Sequence, residues 1–178
     1  MSLQRAQHGE INSILIYEQA QNCYNIYVTF DIRRRMTMLK GISPILSPEL
    51  LKILMEMGHG DEIVIGDGNF PAASIAQRLV RLDGHGVPEI LDAILALMPL
   101  DTYVEAPVGL MQVVPGDDIV PEIWDTYRAI VKKHEGEKKF EEIERFAFYD
   151  RAKQAYAVVA SGETAIYANI ILKKGVVK

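Results

Sequence analysis

The chain has 178 residues, of which 49% are apolar and 24% are charged, enough apolar content for one folded domain and too much for a disordered chain. Its 24 acidic and 19 basic residues give a formal net charge of −5, which excludes a general electrostatic attraction to nucleic acid or anionic membranes. The single cysteine excludes an intrachain disulfide and a cysteine-based zinc site, and no apolar run reaches the ~18 residues of a membrane span. Together with an N-terminus that lacks a secretory signal pattern, these features predict a cytoplasmic protein with no nucleic acid or membrane among its partners.

Residues 1–37 differ from the rest of the chain, because they are rich in Gln, Asn, Arg and Tyr and show no sustained helical period. Two short strands of a hairpin are predicted within them, at 14–17 and 24–30. An arginine run at 33–35 is predicted to be a solvated linker rather than a binding patch. We treat residues 1–37 as an N-terminal extension, which begins like a tag remnant and ends near methionines that could be the natural start, and residues 38–178 as the folded domain.

After residue 38, helical patterns alternate with short apolar runs that are typical of buried strands. Helices are predicted at 48–57, 71–80, 89–98, 121–133 and 146–155. Strands are predicted at 62–65, 108–114, 156–160 and 166–172, and 134–139 is predicted to be a charged loop. This alternation predicts an α/β domain in which helices cover a mixed β-sheet in layers.

The first predicted helix has the clearest boundaries. Ser47 is the expected N-cap, Pro48 is the expected first helical residue, and Gly58 is the expected C-cap. Helical spacing predicts an apolar face made of Leu50, Leu51, Leu54, Met55 and Met57.

Several familiar chemistries are excluded by their missing motifs. Three G-x-G tripeptides occur, at 58–60, 66–68 and 84–86, but none continues into the glycine pattern of a dinucleotide site. The chain has no phosphate-binding loop and no nucleophile elbow, and its four histidines are scattered along the sequence. We therefore expect no dinucleotide cofactor and no histidine-based metal site, while Asp and Glu ligands from distant positions stay open as an alternative.

His59 directly follows the predicted end of the first helix. The C-terminus of a helix carries partial negative charge, which favours a protonated imidazole, so His59 is a candidate proton donor. The alternative is a histidine that only caps the last carbonyls of the helix.

Asp67 lies just past the carboxyl end of a predicted buried strand. In open α/β sheets, ligands collect beyond the carboxyl ends of strands, so Asp67 is a candidate ligand-binding residue. The alternative is a plain Asp-Gly turn.

Tyr167 and Asn169 alternate with apolar residues in the last predicted strand, and a period of two places both on one face. Such a pair suits hydrogen bonding to a sugar or a similar polyol, and the alternative is a solvent-facing side of the strand. Arg145 and Tyr149 lie four residues apart and would share a helix face, where the guanidinium fork can hold two hydroxyls or a carboxylate. For Arg145, the alternative is a surface ion pair with Glu141 or Glu142.

These residues fall within segments that together form a longer pattern. The segments follow one another over nearly the whole chain after residue 37, at 38–44, 47–51, 57–62, 67–71, 145–149, 161–163 and 167–176. In this pattern, residues 38–177 resemble the L-fucose mutarotase family, which is related to D-ribose pyranase.

The resemblance implies an enzyme that interconverts the α and β anomers of a free monosaccharide without a metal or organic cofactor. It implies that His59 is the proton donor. It also implies a ring-shaped homo-oligomer, typically a decamer, with sites that a neighbouring subunit completes. The predicted sugar-binding residues are Asp67, Arg145, Tyr149, Tyr167, Ala168 and Asn169.

Two other functions stay open from the sequence. A D-ribose-type pyranase would exchange pyranose and furanose forms with the same residues, and a silent module would bind a monosaccharide without turnover. The sequence departs from some relatives at Asn69, where they carry a histidine, which puts a second acid–base role at that position in doubt.

Overall fold

The computed structural model describes residues 39–177, so the predicted hairpin and the arginine run of the extension lie outside the described residues. The chain divides into two units, residues 1–44 and 45–178, and every helix and strand described below belongs to the second. The helices are α1 (Pro48–Glu56), α2 (Ala72–Ile75), α3 (Val87–Leu95), α4 (Ile123–Glu135) and α5 (Arg145–Gln154). The strands are β1 (Glu62–Gly66), β2 (Leu79–Leu82), β3 (Val108–Met111), β4 (Phe140–Ile143), β5 (Ala157–Ser161) and β6 (Ile170–Lys173).

The six strands form one mixed sheet in the order β2-β5-β1-β6-β3-β4. All neighbouring pairs are parallel except the two that involve β6, which runs antiparallel to both β1 and β3. Consequently five strands have their carboxyl ends at the same end of the sheet, where β6 begins. We call this end the carboxyl edge of the sheet, and the opposite end, where the five strands begin, lies at the other edge. This arrangement confirms the predicted α/β architecture with a mixed sheet.

The central strands are buried and carry helices on both faces. Val64, Val158 and Ile171 pack with Phe148 of α5 and Ala72 of α2 in one apolar cluster. The helix α3 packs against β1 and α4 and covers the opposite face, toward which the alternate strand side chains point. Burial on both faces explains why these strands read as continuous apolar runs rather than alternating patterns.

The start of α1 confirms the prediction, and its end does not. The Oγ atom of Ser47 accepts a hydrogen bond from the backbone N–H of Leu50 at 3.2 Å, as an N-cap should. The helix ends at Glu56, one residue before the extended Met57, so Gly58 is not its C-cap. The apolar face also differs from the prediction, since Ile53 is buried and Met55 is 84% exposed.

Two predictions of secondary structure were wrong between α1 and α5. The predicted helix 71–80 is the short α2 followed by β2, because Leu79 and the residues after it pair with β5 instead of continuing a helix. The strand β4 was missed, since its sequence follows a charged loop and contains two glutamates. Edge strands of this kind carry a weak apolar pattern, because one side of them faces solvent.

The last strand begins at Ile170 rather than at Ile166. Tyr167 adopts a left-handed backbone conformation, with φ at 57°. Tyr167 and Asn169 therefore do not alternate along one strand face as predicted, although both reach the same end of the sheet. The predicted strand 108–114 likewise ends early, at Met111.

Across residues 39–177, the structure contains no helix that has both the length and the apolar character to cross a membrane.

Gly162 marks a close approach between two backbone segments at the carboxyl edge of the sheet. A Cβ atom at this position would lie 2.0 Å from the carbonyl oxygen of Asp83, whereas a Cβ atom at Gly84 would meet nothing within 4 Å. The N–H of Gly162 also donates to the carbonyl of His85 at 2.9 Å, so the two segments cannot simply move apart.

We predict that Gly162→Ala lowers the free energy of unfolding by about 1–3 kcal/mol, because the added methyl group must displace backbone. The matched variant Gly84→Ala should change it by less than about 0.5 kcal/mol. Urea denaturation followed by the fluorescence of the single tryptophan, Trp124, measures both. Equal midpoints for the two variants would contradict the close approach.

Candidate functional site

A cleft of about 240 Å³ opens at the edge of the sheet where β1 and β3 end and β6 begins. It is smaller than the ~300–1,000 Å³ of pockets that bind drug-sized ligands, so it suits a small molecule. Five predicted residues line it together: Asp67, Arg145, Tyr149, Tyr167 and Asn169. The sequence thus identified most of the polar wall of this cleft.

Asp67 and Asn169 are joined by two reciprocal hydrogen bonds. The backbone N–H of Asp67 donates to Oδ1 of Asn169, and Nδ2 of Asn169 donates to Oδ2 of Asp67, both at 2.9 Å. The register of the sheet causes this contact, because Ile65 pairs with Ile170 and the next residues therefore leave the sheet side by side. Both residues are buried, at 5% exposure each.

The environment of Asp67 disfavours its charged form. Burial raises the pKa of its carboxyl group above the usual range, although the N–H groups of Asn69 and Ala168 and the amide of Asn169 donate hydrogen bonds that act in the opposite direction. A carboxylate with a raised pKa is a stronger base than an ordinary aspartate, which suits proton transfer.

Two aromatic donors on α4 hold the backbone that leads into β6. The indole N–H of Trp124 donates to the carbonyl of Tyr167, and the hydroxyl of Tyr127 donates to the carbonyl of Ala168, both at 2.8 Å. These bonds fix the segment next to the left-handed Tyr167, a conformation that is costly for a non-glycine residue. Ala168 itself is fully buried, so it shapes the site through its backbone groups rather than through its side chain.

The Tyr167 hydroxyl is held at the rim of the cleft. It accepts a hydrogen bond from the N–H of Val114 at 3.3 Å and donates to the carboxylate of Asp117, which also lines the cleft. The hydrogen bond to Asp117 and partial burial raise the pKa of Tyr167, while the charge of Arg145 acts in the opposite direction. The phenol is therefore neutral at physiological pH and can both donate and accept hydrogen bonds.

Arg145 and Tyr149 lie one turn apart at the start of α5, as predicted. The guanidinium carbon of Arg145 sits 4.6 Å from the centre of the Phe146 ring. The Tyr149 ring packs against Phe70 with centroids 5.7 Å apart, which gives the cleft an aromatic wall. The alternative ion pair between Arg145 and Glu141 does not form, since Glu141 pairs with Arg151 at 2.5 Å.

His59 lies away from this cleft, at the opposite edge of the sheet. It precedes β1 whereas Asp67 follows it, so one strand length, roughly 15–20 Å, separates the two. Its Nε2 atom is 3.2 Å from Oδ1 of the buried Asp101, and its ring meets the ring of Tyr103 edge-on at 5.5 Å. Lys174, not His59, donates to the carbonyls at the end of α1.

Sequence reasoning missed three residues that build the site: Trp124, Tyr127 and Asp117. Trp124 lies in the helix predicted at 121–133, but no role was predicted for it. Its spacing of three from Tyr127 was the available signal, because it places both side chains on one face of that helix. The indole N–H and the phenol hydroxyl usually find a hydrogen-bond partner when they are buried. Here each of them donates to a backbone carbonyl of the 167–168 segment. Asp117 gave no signal beyond its place in a Pro-Gly-Asp turn.

Among residues 39–177, no group of three or more His, Cys, Asp and Glu side chains is arranged to hold a metal ion. The polar side chains that line the cleft carry two carboxylates, two amides, two phenols and one guanidinium. Such a set offers hydrogen-bond donors and acceptors to a ligand that carries several hydroxyl groups.

Comparison with known proteins by family model, by sequence and by structure gives matches that agree with one another. A family model described as the RbsD / FucU transport protein family matches residues 40–177. The L-fucose mutarotase of Actinobacillus pleuropneumoniae serotype 5b is 59% identical over 140 residues, which are 78% of this chain and 97% of that protein.

Two solved structures share the fold. The crystal structure of the fucose mutarotase in complex with L-fucose from Streptococcus pneumoniae matches with a TM-score of 0.76 and 57% identity, over 79% of this chain and 100% of that one. The structure of Bacillus subtilis RbsD complexed with D-ribose matches with a TM-score of 0.59 and 25% identity, over 75% of this chain and 95% of that one.

The bond between Tyr127 and Ala168 gives a direct test of how the cleft is supported. Tyr127→Phe keeps the buried ring and removes only the hydroxyl, which leaves the carbonyl of Ala168 without its donor. We predict a loss of about 1–3 kcal/mol in the free energy of unfolding, the cost of a buried unsatisfied acceptor.

The control is Tyr156→Phe, which removes an exposed hydrogen bond to Glu56 and should cost less than about 0.5 kcal/mol. Urea denaturation measures both variants. If they have equal stability, Tyr127 does not hold the segment through its hydroxyl.

Proposed function

Because the chain belongs to the RbsD / FucU transport protein family, as its motifs predicted, we propose that it is an isomerase that interconverts the α and β anomers of L-fucose or a closely related monosaccharide. The single observation that carries this proposal is the cleft in which Asp67, Arg145, Tyr167 and Asn169 converge. The names of the relatives add weight to it, since proteins 57% and 59% identical to this chain are called fucose mutarotases.

The cleft offers what a pyranose ring requires. Arg145 and Asn169 supply N–H donors for hydroxyl oxygens, and Tyr167 can donate or accept. The rings of Phe70 and Tyr149 offer an aromatic surface to the C–H groups of the sugar. We therefore assign sugar binding to these side chains, together with Asp67 and the backbone of Ala168.

Mutarotation needs two proton transfers and no redox step or covalent intermediate. One group protonates the ring oxygen as the bond between that oxygen and the anomeric carbon breaks. A second group takes the proton of the anomeric hydroxyl, which becomes the carbonyl of the open-chain aldehyde. After the aldehyde rotates, both protons return along the same routes and the ring closes as the other anomer. We assign the donor role to His59 and the acceptor role to Asp67, whose raised pKa suits a base.

His59 and Asp67 lie at opposite edges of the sheet, so a complete site needs His59 from a second subunit. We propose a homo-oligomer in which the His59 edge of one subunit docks on the cleft edge of the next. Large exposed apolar side chains occur at both edges, which supports such a contact. They are Met55, Tyr103 and Val104 at the His59 edge, and Val120, Phe146 and Ile166 at the cleft edge.

Such a contact joins two different surfaces, so it is heterologous, and we propose that its rotation closes into a ring. The resemblance to the family implies a decamer. The reaction is proposed for the cytoplasm, in keeping with a chain whose single cysteine can form no intrachain disulfide. Residues 1–37 are proposed to be an N-terminal extension that precedes the sugar-binding domain in the sequence, since the family model begins at residue 40.

The two alternative functions fit the comparisons less well. A D-ribose-type pyranase is favoured by the match to RbsD complexed with D-ribose, but that match has 25% identity against 57% for the fucose mutarotase complex. A silent module that only binds a monosaccharide would not require a base in the cleft, and Asp67, with its raised pKa, is a candidate base there. We therefore keep mutarotation of a fucose-like sugar as the main proposal.

Saturation-transfer NMR on L-fucose at anomeric equilibrium tests this function. Protein-dependent transfer between the α and β signals is the expected result, and D-ribose and D-galactose in parallel rank the substrates. Exchange with D-ribose between pyranose and furanose forms but none with L-fucose would favour the pyranase. Binding without faster exchange of any sugar would favour the silent module.

We predict that His59→Ala lowers the exchange rate by about 10²-fold or more, since general acid catalysis typically contributes 10²–10⁴-fold. The control is His85→Ala, which removes a surface histidine paired with Glu89 and should leave the rate unchanged. Saturation transfer measures both. An unchanged rate in a folded His59→Ala protein removes His59 from the mechanism.

Mixed oligomers test whether two subunits share one site. His59→Ala lacks the donor and Arg145→Ala lacks a sugar-binding side chain, so each variant alone should be inactive. When both are co-expressed in equal amounts, roughly a quarter of the heterologous interfaces carry both intact residues, and about a quarter of the wild-type rate should return. If each chain built a complete site alone, mixing would restore nothing.

A further inference from the structure

The imidazole of His59 has a hydrogen-bond partner at one ring nitrogen, and the rest of the ring is partly exposed. Its Nε2 atom faces Oδ1 of Asp101 at 3.2 Å, and among residues 39–177 no second hydrogen bond to the ring occurs. The side chain of His59 is 47% exposed, whereas that of Asp101 is 4% exposed. A buried carboxylate and a half-exposed imidazole thus form a pair that points the rest of the ring outward.

Asp101 is ionised in this setting. Burial alone would raise its pKa, but hydrogen bonds from the N–H of Tyr103 and from His59, with the charge of Lys173, hold the pKa of Asp101 below its usual value. An ionised carboxylate can only accept hydrogen bonds, so the nitrogen that faces it must carry a proton.

The two loops that carry this pair are tied to one segment of backbone. The N–H of Gly60 donates to the carbonyl of Lys174 at 2.9 Å, which fixes the His59 loop. The N–H of Asp101 donates to the carbonyl of Lys173 at 3.0 Å, which fixes the other loop. A Cβ atom at Gly175 would lie 2.4 Å from the carbonyl oxygen of Leu100, so the loops are also packed closely.

The ring of Tyr103 completes the setting. It meets the imidazole edge-on and its own N–H donates to Oδ1 of Asp101 at 2.9 Å, so it restrains both members of the pair. The histidine is therefore held in rotation as well as in position, which is what a proton donor requires.

We propose that Asp101 is a positioning residue that keeps His59 protonated on Nε2 and thereby presents Nδ1 as the nitrogen that exchanges a proton with the sugar. The part of this inference that concerns the sugar rests on the proposed function. The part that concerns the protonated nitrogen does not, so the two can fail separately.

A nitrogen-15 NMR measurement on the wild-type protein tests the first part. Long-range correlation spectra distinguish the two ring nitrogens of each histidine, and the spectrum of His59→Ala identifies the signals of His59. In its neutral form, His59 should carry its proton on Nε2. A neutral His59 protonated mainly on Nδ1 overturns the proposal without the need for any further variant.

Asp101→Ala is the main variant, because it removes the oxygen that Nε2 faces. Asp101→Asn is its companion, since the Oδ1 atom that it keeps can still accept from both Nε2 and the N–H of Tyr103 and should preserve the turn and the preference for Nε2. In Asp101→Ala we expect the preference for Nε2 to be lost, and the exchange rate at saturating sugar to fall at least about tenfold while the KM stays unchanged, since Asp101 contacts His59 and none of the side chains assigned to sugar binding. A rise in KM at an unchanged maximal rate, or an unaltered His59 spectrum, in Asp101→Ala overturns the proposal.

The chain provides a matched control in the second Asp–His pair, between Asp92 and His134 at 2.7 Å. Asp92→Ala removes the same carboxylate from the same kind of pair and should change neither the His59 spectrum nor the exchange rate. If wild-type protein exchanges no sugar, the proposed function fails, and the His59 spectra of wild type and Asp101→Ala still decide whether Asp101 selects the protonated nitrogen.

Discussion

The antiparallel insertion of β6 between β1 and β3 is the constraint on which the rest of the structure depends. Because β6 enters the sheet where the parallel strands end, it brings Asn169 beside Asp67, and the two exchange hydrogen bonds. Because it leaves the sheet where the parallel strands begin, the carbonyls of its last residue, Lys173, and of the following Lys174 accept hydrogen bonds from the loops of Asp101 and His59. One strand of four residues therefore organises both candidate half-sites, one at each of its ends.

Local sequence was sufficient where a local rule determines the structure. Ser47 and Pro48 mark the start of α1 because capping involves only neighbouring residues, and Asp67 was placed correctly because it ends an apolar run next to glycine. Tyr167 and Asn169 both line the cleft, but they do not reach it by alternating along one strand as predicted, since the backbone at Tyr167 is left-handed. The periodicity of side chains carries no information about such a conformation.

The missed features depend on contacts between distant parts of the chain. Leu79–Leu82 forms a strand because it pairs in parallel with β5, and the sequence of the segment itself does not indicate that pairing. Trp124 and Tyr127 support the site through carbonyls more than 40 positions away in sequence. The separation of His59 from the cleft follows from the direction of β1, which is visible only once the sheet is assembled. The sequence therefore predicted which polar side chains line the cleft better than it predicted the contacts that hold them there.

The left-handed Tyr167 shows how the fold supports the cleft. A strained backbone conformation of this kind costs about 1–3 kcal/mol and persists only where surrounding contacts over-determine it. Here the carbonyl of Tyr167, its hydroxyl and the next carbonyl each have a hydrogen-bond partner, and those partners come from α4 and from the loop after β3. At about 0.5–1.5 kcal/mol each, three such bonds are enough to offset the strain. The conformation directs the phenol toward Asp117 and the cleft, whereas an extended strand would alternate it with its neighbours. The rigidity of the segment is therefore a consequence of the same contacts that orient its polar groups, and a loss of either aromatic donor would disturb both.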